Sequence, residues 1–219
     1  MNLDETISKI YQRYDKLDSE RQNCLAAAQN LAEKIMARDD LHGIGHIYRV
    51  VINCHRILQH EAANPFITLM AAWLHDLGRA REDDSRNHAV VSAEMAGPFL
   101  ESLNEGMDSE VLDKALQLRI LLCIESHSFS SGKVQNSIEA KVLSDADKID
   151  AIGHIGIYRA ACYQHDHGTG IDGMIRHFHE KLLILHRKLN TTTGKAIGAE
   201  RTNIIERYLR GLNSELMNG

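Results

Sequence analysis

The chain has 219 residues, of which 25 are Lys or Arg and 30 are Asp or Glu, so its formal net charge is −5. This length allows one domain with a sizeable core, and the 43% hydrophobic and 25% charged residues exclude wholesale disorder. The acid excess disfavours a protein that binds long nucleic acid or a membrane surface, because both are anionic, whereas a small anionic substrate needs only a local positive site.

Neither a membrane span nor a secretory signal is predicted. The most apolar window, 66–74, is far shorter than the roughly 20 residues of a membrane helix, and the first ten residues include Asp4 and Glu5. The four cysteines are widely spaced and form no CxxC pair, which disfavours a zinc finger or a thioredoxin-like site. These features predict a reduced, cytoplasmic protein whose cysteines pack in the core.

The elements, in chain order, are predicted to be helices almost throughout. Only two prolines interrupt the chain, and we find no run of strictly alternating polar and apolar residues. The first helical stretch, 4–36, is predicted to break near Leu17–Ser19, and an apolar helix is predicted over Phe66–Leu77, with Gly78 in a left-handed position after it. A further helix is predicted to begin at His46. The remaining predicted helices cover 88–103, 109–126, 138–151, 154–165, 171–190 and 195–216.

Four side chains with metal-binding chemistry lie on the inner faces or at the ends of these helices. Asp145 belongs to an apolar stripe, and His46 begins the apolar face of an earlier helix. His75 and Asp76 end a buried helix, whose C-terminal partial negative charge favours a nearby cation. A salt bridge or a helix cap is the alternative for Asp145, and an ordinary core histidine is the alternative for His46. Mixed imidazole and carboxylate ligands suit Mn, Fe, Zn, Ni or Co better than Ca.

The order of these residues resembles the H…HD…D signature of the HD-domain phosphohydrolase superfamily, and in particular its small bacterial nucleotide pyrophosphohydrolases. The segments that carry the resemblance are 40–50, 71–78, 88–94, 124–129 and 143–153. The resemblance implies an all-α HD helical bundle with a C-terminal helical extension. It implies a single domain over 1–219, with its core at about 25–165 and with an N-terminal helix (1–24) and a C-terminal helical pair (171–216) packed on that core.

The resemblance also implies one divalent metal ion, which is Mn, Mg, Ni, Co or Fe with Mn favoured. Its expected ligands are His46, His75, Asp76 and Asp145. The acid that some HD enzymes carry shortly after the HD pair is missing, since residues 77–81 read LGRAR. A catalytic acid at that position is therefore not expected.

Further residues are candidates for catalysis or for binding the substrate. The candidate catalytic residues are Asp76, Lys148, His88 and His127, and the candidate substrate-binding residues are Arg49, Lys148, Ser128 and Arg79. Asp76 would bind the metal and steer water or accept its proton, while the basic residues would offset phosphate charge. For His88 and His127 the resemblance leaves open an ordinary polar contact, a phosphate contact and a second metal site.

The predicted function is metal-dependent hydrolysis of a phosphoester or pyrophosphate bond in a small phosphorylated molecule, with a nucleotide favoured. Long nucleic acid and membranes are not expected partners, and a homodimer is an open possibility. An alternative is an HD-fold ligand-binding or regulatory module with a structural metal. A di-iron oxygenase is a further alternative, and it would need His88 and His127 to reach a second iron.

Overall fold

The structure, a computed structural model, describes residues 3–14, 17–81, 86–104, 111–128 and 134–217. Within these ranges every regular element is a helix or a helical turn and none is a strand, which confirms the predicted all-α fold. The chain divides into two compact units, Met1–Ser144 and Asp145–Gly219. The organisation as a single domain stays a prediction, and the units are described separately.

The helices of the two units follow in chain order. The first unit contains α1 (Leu3–Tyr11), α2 (Ser19–Ile35), α3 (Ile44–Leu58), α4 (Pro65–Leu74), a 3₁₀ turn (Leu77–Ala80), α5 (His88–Ser102), α6 (Lys114–Ser126) and the first part of α7 (Ile138–Asp150). The second unit contains the end of α7, α8 (Gly153–Asp166), α9 (Gly170–His177), a π-helical turn (Phe178–Leu182), α10 (Leu183–Leu185), a 3₁₀ turn (His186–Lys188) and α11 (Thr192–Met217). Among the described helices, no stretch is both long and apolar enough to cross a membrane.

Helix α4 forms the centre of the first unit because it is buried on every side. Its residues Phe66–Leu74 are all buried, and it packs against α2, α3 and α6. Asn64 starts the helix, since its side-chain oxygen accepts hydrogen bonds from two backbone N–H groups of the first turn. At the other end, the indole N–H of Trp73 donates to the hydroxyl of Tyr11 over 2.7 Å, which links α4 to α1. This buried helix therefore fixes the position of the residues that follow it.

Helix α4 ends at Leu74, which is earlier than predicted, and the prediction of a left-handed Gly78 is wrong. Gly78 lies inside the 3₁₀ turn, and it is not among the described glycines with positive φ. It is required for a different reason, because a Cβ atom there would come within 2.4 Å of the carbonyl oxygen of His88. Its backbone N–H donates to the hydroxyl of Ser92 over 2.8 Å. Gly78 thus allows the turn after α4 to lie directly against the first turn of α5.

The second unit has its own apolar core, drawn from α8, α9, the π-helical turn and α11. The buried core residues are Ile152, Ala160, Met174, Phe178, Leu182, Ile205 and Leu209. The helix predicted over 171–190 is divided by the π-helical turn and by the short 3₁₀ turn. The predicted glycine break is present, since Gly168 and Gly170 have positive φ values of 68° and 55° between α8 and α9.

Candidate active site

His75 and Asp76 lie in the turn that ends the buried helix α4, and both are almost inaccessible, with 0% and 2% relative exposure. The Nδ1 atom of His75 lies 2.7 Å from the carbonyl oxygen of Ala72. A carbonyl can only accept, so Nδ1 carries a proton, and the lone pair of the neutral ring lies on Nε2. The backbone at the end of α4 therefore fixes the tautomer in which His75 could bind a metal through Nε2.

His127 follows the same rule at the end of α6. Its Nδ1 atom donates to the carbonyl oxygen of Ile124 over 2.6 Å, which leaves the lone pair on Nε2. The hydroxyl of Ser144 in turn donates to the carbonyl oxygen of His127 over 2.8 Å, which ties the end of α6 to α7. The imidazole rings of His75 and His127 meet edge to face, with their centroids 4.9 Å apart. Two imidazoles are thus held with defined orientations next to each other.

The carboxylate of Asp76 is the point on which four imidazoles converge. Its Oδ2 atom lies 3.6 Å from Nε2 of His46 and 3.9 Å from Nε2 of His75, and these two nitrogens are 3.4 Å apart. Its Oδ1 atom lies 3.4 Å from Nε2 of His88 and 3.9 Å from Nε2 of His127. The structure therefore brings together His46, His75 and Asp76, as predicted, and adds His88 and His127 on the other side of the same carboxylate.

These residues fit a divalent metal ion. Oδ1 of Asp76 is buried and accepts no hydrogen bond from any described residue, which is costly for a carboxylate unless a cation is present. The separations of 3.4–3.9 Å between these ligand atoms are close to the spacing around a metal with bonds of about 2.1 Å. His75, Asp76 and His127 also form a compact, fully buried group of possible ligand atoms. Burial alone would raise the pKa of Asp76, but the electrostatic effects of the nearby His75 imidazole and Arg79 guanidinium outweigh it and hold that pKa well below its ordinary value.

Arg79 supplies a cation at the edge of this group. Its Nε atom donates to Oδ2 of Asp76 over 2.7 Å, and its Nη2 atom lies 3.2 Å from Nε2 of His88. Asp76 is 2% exposed, whereas the side chain of Arg79 is 36% exposed. Arg79 therefore reaches from solvent to the buried carboxylate, and its role in binding substrate stays a prediction.

A comparison with protein families identifies the fold that holds these residues. The model of the HD domain matches residues 43–152, which is half of the chain. The chain belongs to the HD-domain family. The resemblance read from the H…HD…D signature is thereby confirmed, and the matched segment contains the histidines and aspartates of the signature.

This HD domain is similar to proteins of known structure over most of its length. It is 29% identical to Bacillus subtilis YpgQ over 179 residues, which cover 80% of this chain and 84% of YpgQ. A crystal structure of YpgQ in complex with ADP matches with a TM-score of 0.72 at 27% identity, covering 90% of this chain and 96% of that chain. A Lactobacillus plantarum protein matches with a TM-score of 0.70 at 31% identity, covering 90% and 99%. A Bacillus thuringiensis HD-superfamily hydrolase matches with a TM-score of 0.72 at 26% identity, covering 91% and 100%.

Asp145, the fourth predicted metal ligand, has hydrogen-bond partners within its own unit of this HD domain. It is fully buried, and its carboxylate accepts from the backbone N–H and side-chain amide of Asn190 over 2.8–3.0 Å. It also accepts from the backbone N–H and hydroxyl of Thr191 over 2.7 Å and 2.8 Å. These four donors occupy both oxygens. The observed contacts match the alternative role of a helix cap, here at the start of α11, and its role as a ligand stays a prediction.

The remaining predicted site residues are placed as follows. Lys148 is 9% exposed, and burial lowers its pKa while the carboxylates of Asp147 and Asp145 oppose the shift. Ser128 is buried just after α6. Arg49, on α3, donates to the backbone carbonyl of Asp40 over 2.6 Å. Their roles in catalysis and in substrate binding stay predictions.

The sequence analysis did not predict that Asn190, Thr191 and Gly194 surround the carboxylate of Asp145. Thr191 accepts a hydrogen bond from the N–H of Gly194 through its hydroxyl, as in an N-terminal helix cap. A Cβ atom at Gly194 would come within 2.4 Å of Oδ2 of Asp145, so only glycine leaves room for the carboxylate. An Asn-Thr pair before a helix is a recognisable cap signal, but we predicted that helix to start at residue 195, after this signal.

Proposed function

We propose that this HD domain hydrolyses a phosphoester or pyrophosphate bond of a nucleotide with the help of one divalent metal ion, with Mn favoured. The observation that carries the proposal is the buried Oδ1 of Asp76, which has no hydrogen-bond partner among the described residues although imidazole Nε2 atoms surround its carboxylate. His46, His75 and Asp76 would hold the metal together with a carboxylate from α7. Asp145 is the sequence-based choice for that carboxylate.

The metal, when bound, would supply Lewis acidity toward the phosphoryl group and toward the attacking water. The side chains of the site would orient the reacting groups, handle the proton and offset charge. The two Nδ1 hydrogen bonds to backbone carbonyls would orient His75 and His127 so that their Nε2 atoms face the reacting groups. Asp76 would steer the attacking water or accept its proton. Arg79 at the entrance, together with Lys148, would offset the negative charge of the phosphate groups.

A nucleotide is the favoured substrate class for two reasons. YpgQ, which shares the fold over 90% of this chain, has been crystallised in complex with ADP. A cationic entrance suits a phosphorylated ligand, and a chain with net charge −5 favours a small molecule over a long polyanion. The base and the cleaved bond would follow from the products that are released.

The proposal is tested by a turnover screen on the full chain after its metal has been removed. Nucleoside mono-, di- and triphosphates are supplied with Mn, Mg, Ni or Co, and the release of phosphate and pyrophosphate is followed. We expect turnover only with added metal, and we expect Asp76→Asn to lower it by about 100-fold or more. Asp172→Asn, which removes the same charge from an exposed position in the first turn of α9, should keep the wild-type rate.

Two results would count against the hydrolase. Turnover that needs no metal, or that Asp76→Asn leaves unchanged, would contradict the assignment of the site. Protein that binds metal and turns over no phosphorylated substrate would instead support the regulatory module, in which the metal only holds the helices together.

A further inference from the structure

We infer that Asp39 is a positioning residue of the metal centre, because its carboxylate fixes the loop from which α3 and His46 begin. Asp39 acts through His46 and touches neither the metal nor the substrate. Sequence reasoning did not select it, since it lies seven positions before the histidine on the exposed side of the loop. The role depends on the proposed function, which supplies the metal that His46 would bind.

His46 lies at a part of a helix that needs support from outside. It belongs to the first turn of α3, where its Nε2 atom is 3.4 Å from Nε2 of His75 and 3.6 Å from Oδ2 of Asp76. The first N–H groups of a helix have no partners within that helix. Gly43 occupies the capping position, and it has no side chain that could accept from them. The support for this turn must therefore come from the loop before it.

The backbone of that loop supplies the missing acceptors. The N–H of Ile44 donates to the carbonyl oxygen of Ala37 over 2.9 Å, and the N–H of Gly45 donates to the carbonyl oxygen of Asp39 over 3.2 Å. Ile44 and Gly45 are the first two residues of α3, so the loop folds back over the start of the helix as a cap. These carbonyl groups can cap the helix only while the loop keeps its shape.

The carboxylate of Asp39 holds the loop in that shape. Its Oδ1 atom accepts hydrogen bonds from the backbone N–H groups of Leu41, His42 and Gly43 over 2.8, 2.9 and 3.0 Å. A Cβ atom at Gly43 would collide with both the Asp39 carboxylate and the carbonyl oxygen of Ala37. The group that closes the loop and the group that caps Ile44 therefore press together on the backbone just before α3.

Arg49 attaches the loop to α3 on the far side of His46. It lies one turn after the histidine, and its Nη2 atom donates to the carbonyl oxygen of Asp40 over 2.6 Å. His46 thus lies between two attachments of the same loop, one made by Asp39 and one made by Arg49. A change at Asp39 should consequently be felt at the imidazole of His46.

The experiment measures the dissociation constant of Mn²⁺ from the full-length protein, by electron paramagnetic resonance of the free ion. Asp39→Ala removes the acceptor of three N–H groups, so it should raise the dissociation constant about 10-fold or more, as expected for a residue that supports a ligand. Asp39→Asn removes the same charge but keeps an oxygen that can accept those groups. It should therefore stay within about 3-fold of the wild type.

Asp18→Ala is the matched control for loss of an acidic cap. Asp18 is also exposed, and its carboxylate accepts from the backbone N–H of Arg21 in the first turn of α2, a helix without a predicted ligand. This variant should lower the melting temperature and keep the affinity for Mn²⁺. Gly43→Ala disturbs the loop by a second route, and it should also raise the dissociation constant. Circular dichroism sets a temperature at which all variants are folded.

The outcomes separate this role from the proposed function. A wild type that binds no Mn²⁺ would overturn both. Unchanged affinity in folded Asp39→Ala would overturn the role of Asp39 alone. An equal loss in Asp39→Asn would show that the charge acts on the metal through space, and an equal loss in Asp18→Ala would show that any lost cap has this effect; either result overturns the role. If Asp39→Ala does not fold, unchanged affinity in Gly43→Ala overturns it instead.

Discussion

Replacing Asp145 by Asn tests whether this buried carboxylate supports the start of α11. The side chain keeps nearly its shape, but one acceptor oxygen becomes an NH₂ group that faces N–H and O–H donors. The two donors from Thr191 that now share Oδ2 would lose their acceptor if that oxygen is replaced. A buried donor without an acceptor costs about 1–3 kcal/mol, so we expect a loss of about 3 kcal/mol in the free energy of unfolding.

That loss corresponds to a fall in melting temperature of about 6–12 °C, given about 2–4 °C per kcal/mol for a chain of this size. Denaturant and thermal unfolding followed by circular dichroism measure it directly. Asp147→Asn is the matched control, because it removes the same charge from the same helix at a half-buried position, and it should cost less than about 1 kcal/mol. An Asp145→Asn variant that unfolds at the wild-type midpoint would refute the cap.

A Mn²⁺ titration of Asp145→Asn tests the predicted role of this residue as a metal ligand. The lone pairs of Asp145 are engaged by four donors, so we expect Asp145→Asn to weaken Mn²⁺ binding less than Asp76→Asn does. The titration is carried out at a temperature at which both variants are folded. An equal loss of metal from the two variants would contradict this expectation and support the ligand role that the sequence predicts.

Three further changes probe the first unit. Gly78→Ala places a Cβ atom against the carbonyl oxygen of His88, so it should lower the free energy of unfolding by about 1–3 kcal/mol. Gly97→Ala is the control, because the space around its Cβ position is open, and it should be neutral or stabilising by up to about 1 kcal/mol. Denaturant unfolding measures both variants. Tyr11→Phe leaves the buried indole N–H of Trp73 without its acceptor, so it should destabilise by about 1–3 kcal/mol, and an unchanged midpoint would show that water replaces the hydroxyl. Burial raises the pKa of Cys123 to about 11, so its thiol should resist a thiol reagent at pH 8 in the native protein and react with it in denaturant. Fast labelling of this residue in the native protein would contradict its burial.

Much of the site could be predicted because its signals are local. His75 and Asp76 follow an apolar helix that is buried on all sides, and this burial is visible in the run of residues from Phe66 to Leu74. The position of His46 on the inner face of α3 follows from helical periodicity. Such patterns depend on the spacing of residues in one segment, which a sequence displays directly.

The parts that were missed depend on contacts between segments. Gly78 was expected to end a helix through its backbone freedom, but its role is to admit the carbonyl of His88, ten residues later. The contact of Arg79 with His88 likewise requires the turn and α5 to meet through Ser92. Neither the spacing nor the residue types of these segments specify that meeting, so sequence reasoning could name the residues without their partners.

Residue type and burial do not by themselves identify a metal ligand, so the ligand role of Asp145 stays a prediction. Its burial was correctly predicted, and a buried carboxylate must have either a cation or several hydrogen-bond donors. Asn190 and Thr191 provide those donors from more than forty positions away in the chain. Asp76 is the contrasting case, since one of its buried oxygens has no donor among the described residues. The difference between the two aspartates therefore lies in what surrounds each carboxylate, and an oxygen without a donor is the stronger indication of a missing cation.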